Sequence, residues 1–165
     1  HPKVATVLQN LADMYLAQDR YAEAGPFYRQ AITIYENAFG PEHPSVVAAL
    51  NSLGGLFQDQ GKYSEALPVF ERALRIEEKT LGQDHPDIAT SLNNLATLNF
   101  YLGANEMAES LYIRSLEIYE NAYGKEHPFV ATVLVNMVEF YEKTGRRGEA
   151  GIFAERLKQI QSRYQ

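Results

Sequence analysis

Histidine stands at positions 1, 43, 85 and 127, each time followed by proline and each time 42 residues after the last. Imidazole binds metals and moves protons near neutral pH, so a recurring histidine raises two chemical readings, ligand or acid–base group. Its surroundings argue for neither. The dipeptide is embedded in "GPEHPSV" from Gly40, "GQDHPDI" from Gly82 and "GKEHPFV" from Gly124. Glycine suits the residue just past a helix, where φ turns positive. Proline suits the first turn of the next helix, where a missing N–H is harmless. The residue before proline is pushed out of α space and becomes a boundary. Glu42, Asp84 and Glu126 then lie at the positive end of the coming helix dipole. The stretch therefore reads as stop helix, turn, start helix. Packed helix layers set successive histidines about 10 Å apart, against N–metal distances of about 2 Å. The histidines are read as punctuation, with no metal expected.

Other chemistry is as thinly represented. There is no cysteine, hence no disulfide and no thiolate nucleophile. Neither a Gly-rich phosphate loop nor the G-x-S-x-G or H-E-x-x-H pattern occurs. The acidic residues are spread over what should be exposed helix faces and linkers. The expectation is a non-catalytic protein with no cofactor.

The chain has 165 residues, 45% of them hydrophobic, enough for one packed unit or one short repeat array. Its net charge of −6 argues against nucleic acid, which selects a basic face, and against an anionic membrane surface. No apolar run approaches the length of a membrane span. The chain does not begin with Met, and a segment of a longer, cytoplasmic protein is expected.

Laid out at the His-Pro interval, the chain forms four blocks, 1–42, 43–84, 85–126 and 127–165, expected to make a single array. Leu8, Leu50, Leu92 and Leu134 align, as do Leu11, Leu53, Leu95 and Met137. Alanine recurs at 24, 66, 108 and 150, isoleucine at 34, 76, 118 and 160. Within a block the apolar residues fall at intervals of three and four, as in Val4, Val7, Leu8, Leu11, Met14 and Tyr15, then Ala24, Phe27, Tyr28, Ala31, Ile34 and Tyr35. Between the two runs lies a turn, "QDRY", "QGKY", "LGAN" or "TGRR", whose Gly61, Gly103 or Gly145 ends the first helix and whose first copy uses Asp19. Each block is thus two antiparallel helices, and the fold class is all-α. Gly54-Gly55 is expected mid-helix, where small residues permit close packing.

The spacing Leu8-x-x-Leu11-Ala12-x-x-Tyr15 followed by Ala24-x-x-x-Tyr28-x-x-Ala31 resembles that of tetratricopeptide repeats. Asn99, Val138, Ala154 and Leu157 depart from the pattern. The usual period is 34; the longer one here, with "HPDIATSLNNLATL" at 85–98, resembles the cargo-binding repeats of kinesin light chains. The resemblance implies an α-solenoid of four helix-turn-helix repeats, a right-handed superhelix whose concave groove is lined by the first helix of each repeat. It also implies a protein or peptide as partner.

With the aligned leucines in the core, positions about 100° away form the expected wall. They include Gln9, Asn10 and Asp13, then Asn51 and Ser52, then Asn93, Asn94 and Thr97, then Asn136 and Glu139. Asparagine is a poor helix former, so repeated mid-helix asparagine calls for a reason. An amide can donate to and accept from a peptide backbone at once. In the resembled family the asparagine matching Asn10, Asn94 and Asn136 contacts the main chain of the bound peptide, and Ser52 departs from that pattern. The competing reading is that these amides bond within the protein. Phe100 and Tyr101 offer two readings, an apolar anchor for a ligand or core residues replacing the aromatic that Asn99 displaces, and the core reading is preferred. The first helix is as apolar at Val4, Val7 and Met14 as the helices inside the array, so an upstream repeat is expected; the last turns polar beyond Leu157. The second functional reading is a spacer that self-associates end to end.

Overall fold

A computed structural model describes residues 1–164; Gln165, the end of the fourth block, lies outside the described residues. Eight helices follow in order: α1 Pro2–Leu16, α2 Tyr21–Phe39, α3 Pro44–Asp59, α4 Tyr63–Leu81, α5 Pro86–Tyr101, α6 Asn105–Tyr123, α7 Pro128–Lys143 and α8 Arg147–Gln161. They make four helix-turn-helix pairs, with no strand among the described residues. No described helix is long and apolar enough to cross a membrane. The chain divides into two compact units, His1–Gln83 and Asp84–Gln165, each holding two helix pairs.

The punctuation has a physical form. Each histidine is the N-cap of the helix that its proline opens. The Nδ1 atoms of His1, His43, His85 and His127 accept the backbone N–H two residues on, at 3.3, 3.2, 3.2 and 3.3 Å. Neutral imidazole with its proton on Nε2 is the form that can accept there. Asparagine caps a helix in the same way. Replacing His43 and His85 together by Asn should therefore leave stability within about 0.5 kcal/mol, while the double Ala variant should lose about 1 kcal/mol per cap. Denaturant unfolding decides the matter: equal losses in the two variants would show that the imidazole does something other than cap.

The turns follow the expected chemistry, with Gly61, Gly103 and Gly145 at φ +69°, +80° and +82° and Asp19 at +57°. Glu42 and Glu126 do more than sit near a helix start. They form ion pairs with Lys79, at 2.5 Å, and with Arg163. Arg72 with Glu36 and Arg156 with Glu120 similarly tie consecutive repeats within each unit. Such part-exposed pairs contribute only about 0–1 kcal/mol each; the packing energy lies in the core.

In the first unit that core holds Tyr28, Val46, Leu50, Leu56 and Phe70, and in the second Leu92, Leu98, Tyr112, Leu134, Met137 and Phe140. Of the adjacent glycines only Gly54 serves close packing, since a Cβ there would stand 2.7 Å from the Phe70 ring. A Cβ on Gly55 would meet nothing within 4 Å. Asn99 is buried in the aromatic's usual place and donates to the Leu95 carbonyl at 2.8 Å. Phe100 meets Phe140 edge-on at 5.4 Å, whereas Tyr101 turns outward. Glu77, expected on an outer face, is buried.

Candidate functional site

The wall residues lie on α1 and α3 in the first unit and on α5 and α7 in the second. Their amides divide into two groups. In the first unit Gln9 Nε2 donates to Ser52 Oγ at 3.4 Å. In the second unit Asn136 Nδ2 donates to Asn93 Oδ1 at 3.1 Å. Both bonds join the first helix of one repeat to the first helix of the next, at the same register. The structure thus brings these side chains together as two pairs, one within each unit. Asn93 is buried, which corrects its expected place on an open wall. The cause is rotational: one residue's offset along a helix moves a side chain by 100°, and that carries Asn93 into the inter-repeat seam.

Asn10 and Asn94 form the second group. Both side chains are exposed and neither has an intramolecular hydrogen-bond partner among the described residues. Asn51, half-buried, also lacks one. The remaining wall residues are committed to neighbours. Asp13 Oδ1 accepts from the Tyr28 hydroxyl at 2.5 Å. Burial and that carboxylate together push the Tyr28 phenol above its usual range. Thr97 Oγ1 donates to the Asn93 carbonyl at 3.1 Å and shares a hydrogen bond with the Tyr112 hydroxyl at 2.9 Å. Burial pushes Tyr112 up to about 12. These bonds anchor the wall to the second helix of the same pair. Glu139 accepts from Lys143 at 2.6 Å, and the carboxylate holds the lysine above its ordinary range. The Lys143 ammonium stands 5.9 Å from the ring centres of both Phe100 and Tyr101. The outward surface of α5 and α7 is therefore a mixed strip, with exposed Asn94, Tyr101 and Val135 beside the Glu139–Lys143 pair.

A second constellation escapes sequence reasoning. Glu109 on α6 accepts from the Tyr141 hydroxyl at 2.8 Å and from Arg146 at 2.6 Å. Arg146 also holds Glu149 at 2.9 Å and lies over the Tyr141 ring, 4.6 Å from its centre. Arg146 keeps the Glu109 carboxyl below the usual carboxylate range. Burial, then the hydrogen bond to Glu109, raises Tyr141 to about 12. Glu109 is half-buried, not the solvated surface acid expected. The available signal was its register, since the aligned residues of the other blocks are Gly25, Leu67 and Gly151.

No group of three or more metal-ligating side chains occurs among the described residues. The arrangement can present hydrogen bonds and apolar contacts.

Comparison with known proteins accords with this architecture. The tetratricopeptide repeat model matches residues 3–79, 47–121 and 87–163. BtubC (BKLC) from P. vanneervenii superposes with a TM-score of 0.88 at 22% identity, over 99% of this chain and 66% of that one. Nearly identical TPR-like repeats of a candidate kinesin light chain from Podosopora anserina superpose with a TM-score of 0.83 at 26% identity, over 99% of this chain and 77% of that one. RapI in its apo form gives 0.83 at 19% identity, over 96% of this chain and 43% of that one. The chain thus spans just under two thirds of BtubC and less than half of RapI. No curated protein matches the sequence. Repeats of this kind are generally protein–protein interaction modules. With overlapping matches from residue 3 to residue 163 and four helix pairs in the same order, the chain belongs to the tetratricopeptide repeat family.

Proposed function

We propose that the protein is a non-catalytic adaptor that holds an extended peptide or protein segment along the first helices of its repeats. The observation that carries this reading is the pair of exposed, unpartnered mid-helix amides, Asn10 and Asn94. They occupy the same register two blocks apart, and a peptide main chain offers the donors and acceptors they lack. The bonds Gln9–Ser52 and Asn93–Asn136 support the reading differently, by fixing neighbouring helices so that the free amides are presented without prior rearrangement. Asn136 is thereby a positioning residue whose donor is already engaged.

A peptide-library pulldown with Asn10→Ala and Asn94→Ala tests this. Each substitution should weaken captured peptides by about 1–2 kcal/mol, the range of a lost hydrogen bond, without altering stability. Glu71→Ala and Glu117→Ala, both exposed on second helices, serve as neutral controls. Capture of the same peptides by wild type and the double Asn variant would mean that the amides are surface ornaments of the helix.

A second reading, self-association, rests on α1. Val4 and Val7 are 50% and 63% exposed, while Val46 and Ala49 at the same register are fully buried. At the other end, Lys158 takes the register of the buried Ile32, Leu74 and Leu116. A head-to-tail stack would set that lysine against valine, so α1 pairing with α1 is the form this reading takes. It takes precedence if no peptide is captured.

A further inference from the structure

One face of the first unit has the composition of an interior and no cover. Val4 and Met14 on α1 are each 50% exposed, whereas Val46 and Leu56, at the same register on α3, are 0% and 1% exposed. Helix α2 packs against α3, and no described helix covers the corresponding face of α1. Between Val4 and Met14, Val7 is 63% exposed and Leu11 half-buried.

The spacing of this face points to its occupant. Val4, Val7, Leu11 and Met14 stand three, four and three residues apart. These are the a and d positions of two heptads, a seam that a second helix can follow. The spacing reads the same in both directions, so the seam is complementary to itself when two copies run antiparallel. Val4 of one copy then meets Met14 of the other, and Val7 meets Leu11. Charge selects the same direction. Lys3 lies near the start of α1 and Asp13 near its end, and they are the only charged residues of that helix. Antiparallel pairing brings the lysine end of each helix to the aspartate end of the other. Parallel pairing would set like beside like, which costs free energy. The last helix offers no alternative cover. Lys158 and the exposed Gln161 stand where α2 has the buried Ile32 and Tyr35.

We propose that two copies of the chain pair through α1, antiparallel about a two-fold axis between Val7 and Leu11. The pairing is the isologous form of the self-association reading and rests on it. A seam of two heptads is short, so the dimer is weak and concentration-dependent. Its centre lies about 80° round α1 from Asn10. Pairing therefore leaves the amide wall open and places two copies of it in one assembly, which favours a ligand with two binding segments.

The chain contains no cysteine, so introduced thiols report the pairing without background. Val4→Cys mixed with Met14→Cys should give a disulfide-linked heterodimer on mild oxidation, and neither variant alone should link. In the antiparallel pair the two copies of position 4 lie about 15 Å apart along the axis, beyond the roughly 4–7 Å Cα span of a disulfide. Parallel pairing would link each variant to itself. Sedimentation equilibrium of the unmodified chain should show monomer and dimer and no larger species. Val7→Glu should raise the dissociation constant about tenfold or more, because two carboxylates then meet near the centre of the seam. Circular dichroism should not change, since that side chain is exposed. Ile152→Glu, at a residue 69% exposed on α8, should leave the dimer intact. A chain that is monomeric at about 1 mM would overturn this pairing and the self-association reading together. Association undiminished by Val7→Glu, or self-linking of a single-cysteine variant, would overturn this pairing and leave self-association standing.

Discussion

Phe140→Ala should destabilise the second unit by about 3–5 kcal/mol, the range for removing a fully buried aromatic ring. The ring is 1% exposed and touches three others, Phe100 at 5.4 Å, Tyr112 at 5.8 Å and Tyr141 at 5.0 Å. Two meet it edge-on, the arrangement the aromatic quadrupole favours. Truncation removes all three contacts and leaves a cavity between α5, α6 and α7 that rigid helices cannot close. Consequences should reach the wall, because Tyr112 supports Thr97, and also the separate Glu109 network, because Tyr141 donates to Glu109. The chain contains no Trp, so urea unfolding is best followed by far-UV circular dichroism. A loss below about 1 kcal/mol would fall outside what a sealed aromatic site allows and would show that the cluster is not the core of this unit. Leu56 holds the same register in the first unit without such a ring cluster, and Leu56→Ala should cost about 2–5 kcal/mol.

Local chemistry made the helix pairs legible. His-Pro, Gly and the three-and-four spacing act within a few residues, so their meaning does not depend on distant partners. The histidine reading carried through to a specific bond, Nδ1 to the second backbone N–H of each helix. The wall was legible only as a list of faces. Whether an amide faces a ligand or a neighbouring helix depends on rotation by a single position, and on partners about one repeat away. Gln9–Ser52 and Asn93–Asn136 are of that kind, and periodicity alone ranks them no differently from Asn94. Glu109 was missed for a related reason. Its acid looks solvent-facing along α6, and only the approach of Tyr141 and Arg146 from the next repeat makes it part of a network. Glu77 reads as surface in its own helix and is buried by what packs over it. In each case the deciding term is tertiary.

The linker glycines depart from the simplest expectation in a way that sharpens their test. A left-handed C-cap was expected, but Gly40, Gly82 and Gly124 lie at φ +93°, +90° and +87° with ψ 160°, 156° and 158°. That region is essentially closed to residues with a Cβ, more strictly than the left-handed helical basin. Gly124→Val should therefore destabilise the second unit by about 2–3 kcal/mol, the upper part of the range for one strained backbone position. Crowding contributes nothing, since a Cβ at Gly124 would meet no atom within 4 Å. The whole effect must come from the dihedral angles, and a control isolates it. Gly151 is equally uncrowded but lies inside α8 without a positive φ, and Gly151→Ala should stabilise by about 1 kcal/mol through helix propensity. Gly124 also sets the start of α7, because its carbonyl accepts from the His127 N–H at 3.3 Å. Strain relieved by moving that carbonyl would displace the His127 cap, so the valine variant should also lose protection of the Phe129 amide in hydrogen exchange. Unchanged stability and unchanged protection in Gly124→Val would mean that the linker adopts another conformation at no cost, and the glycine would then not be what ends one repeat and aims the next.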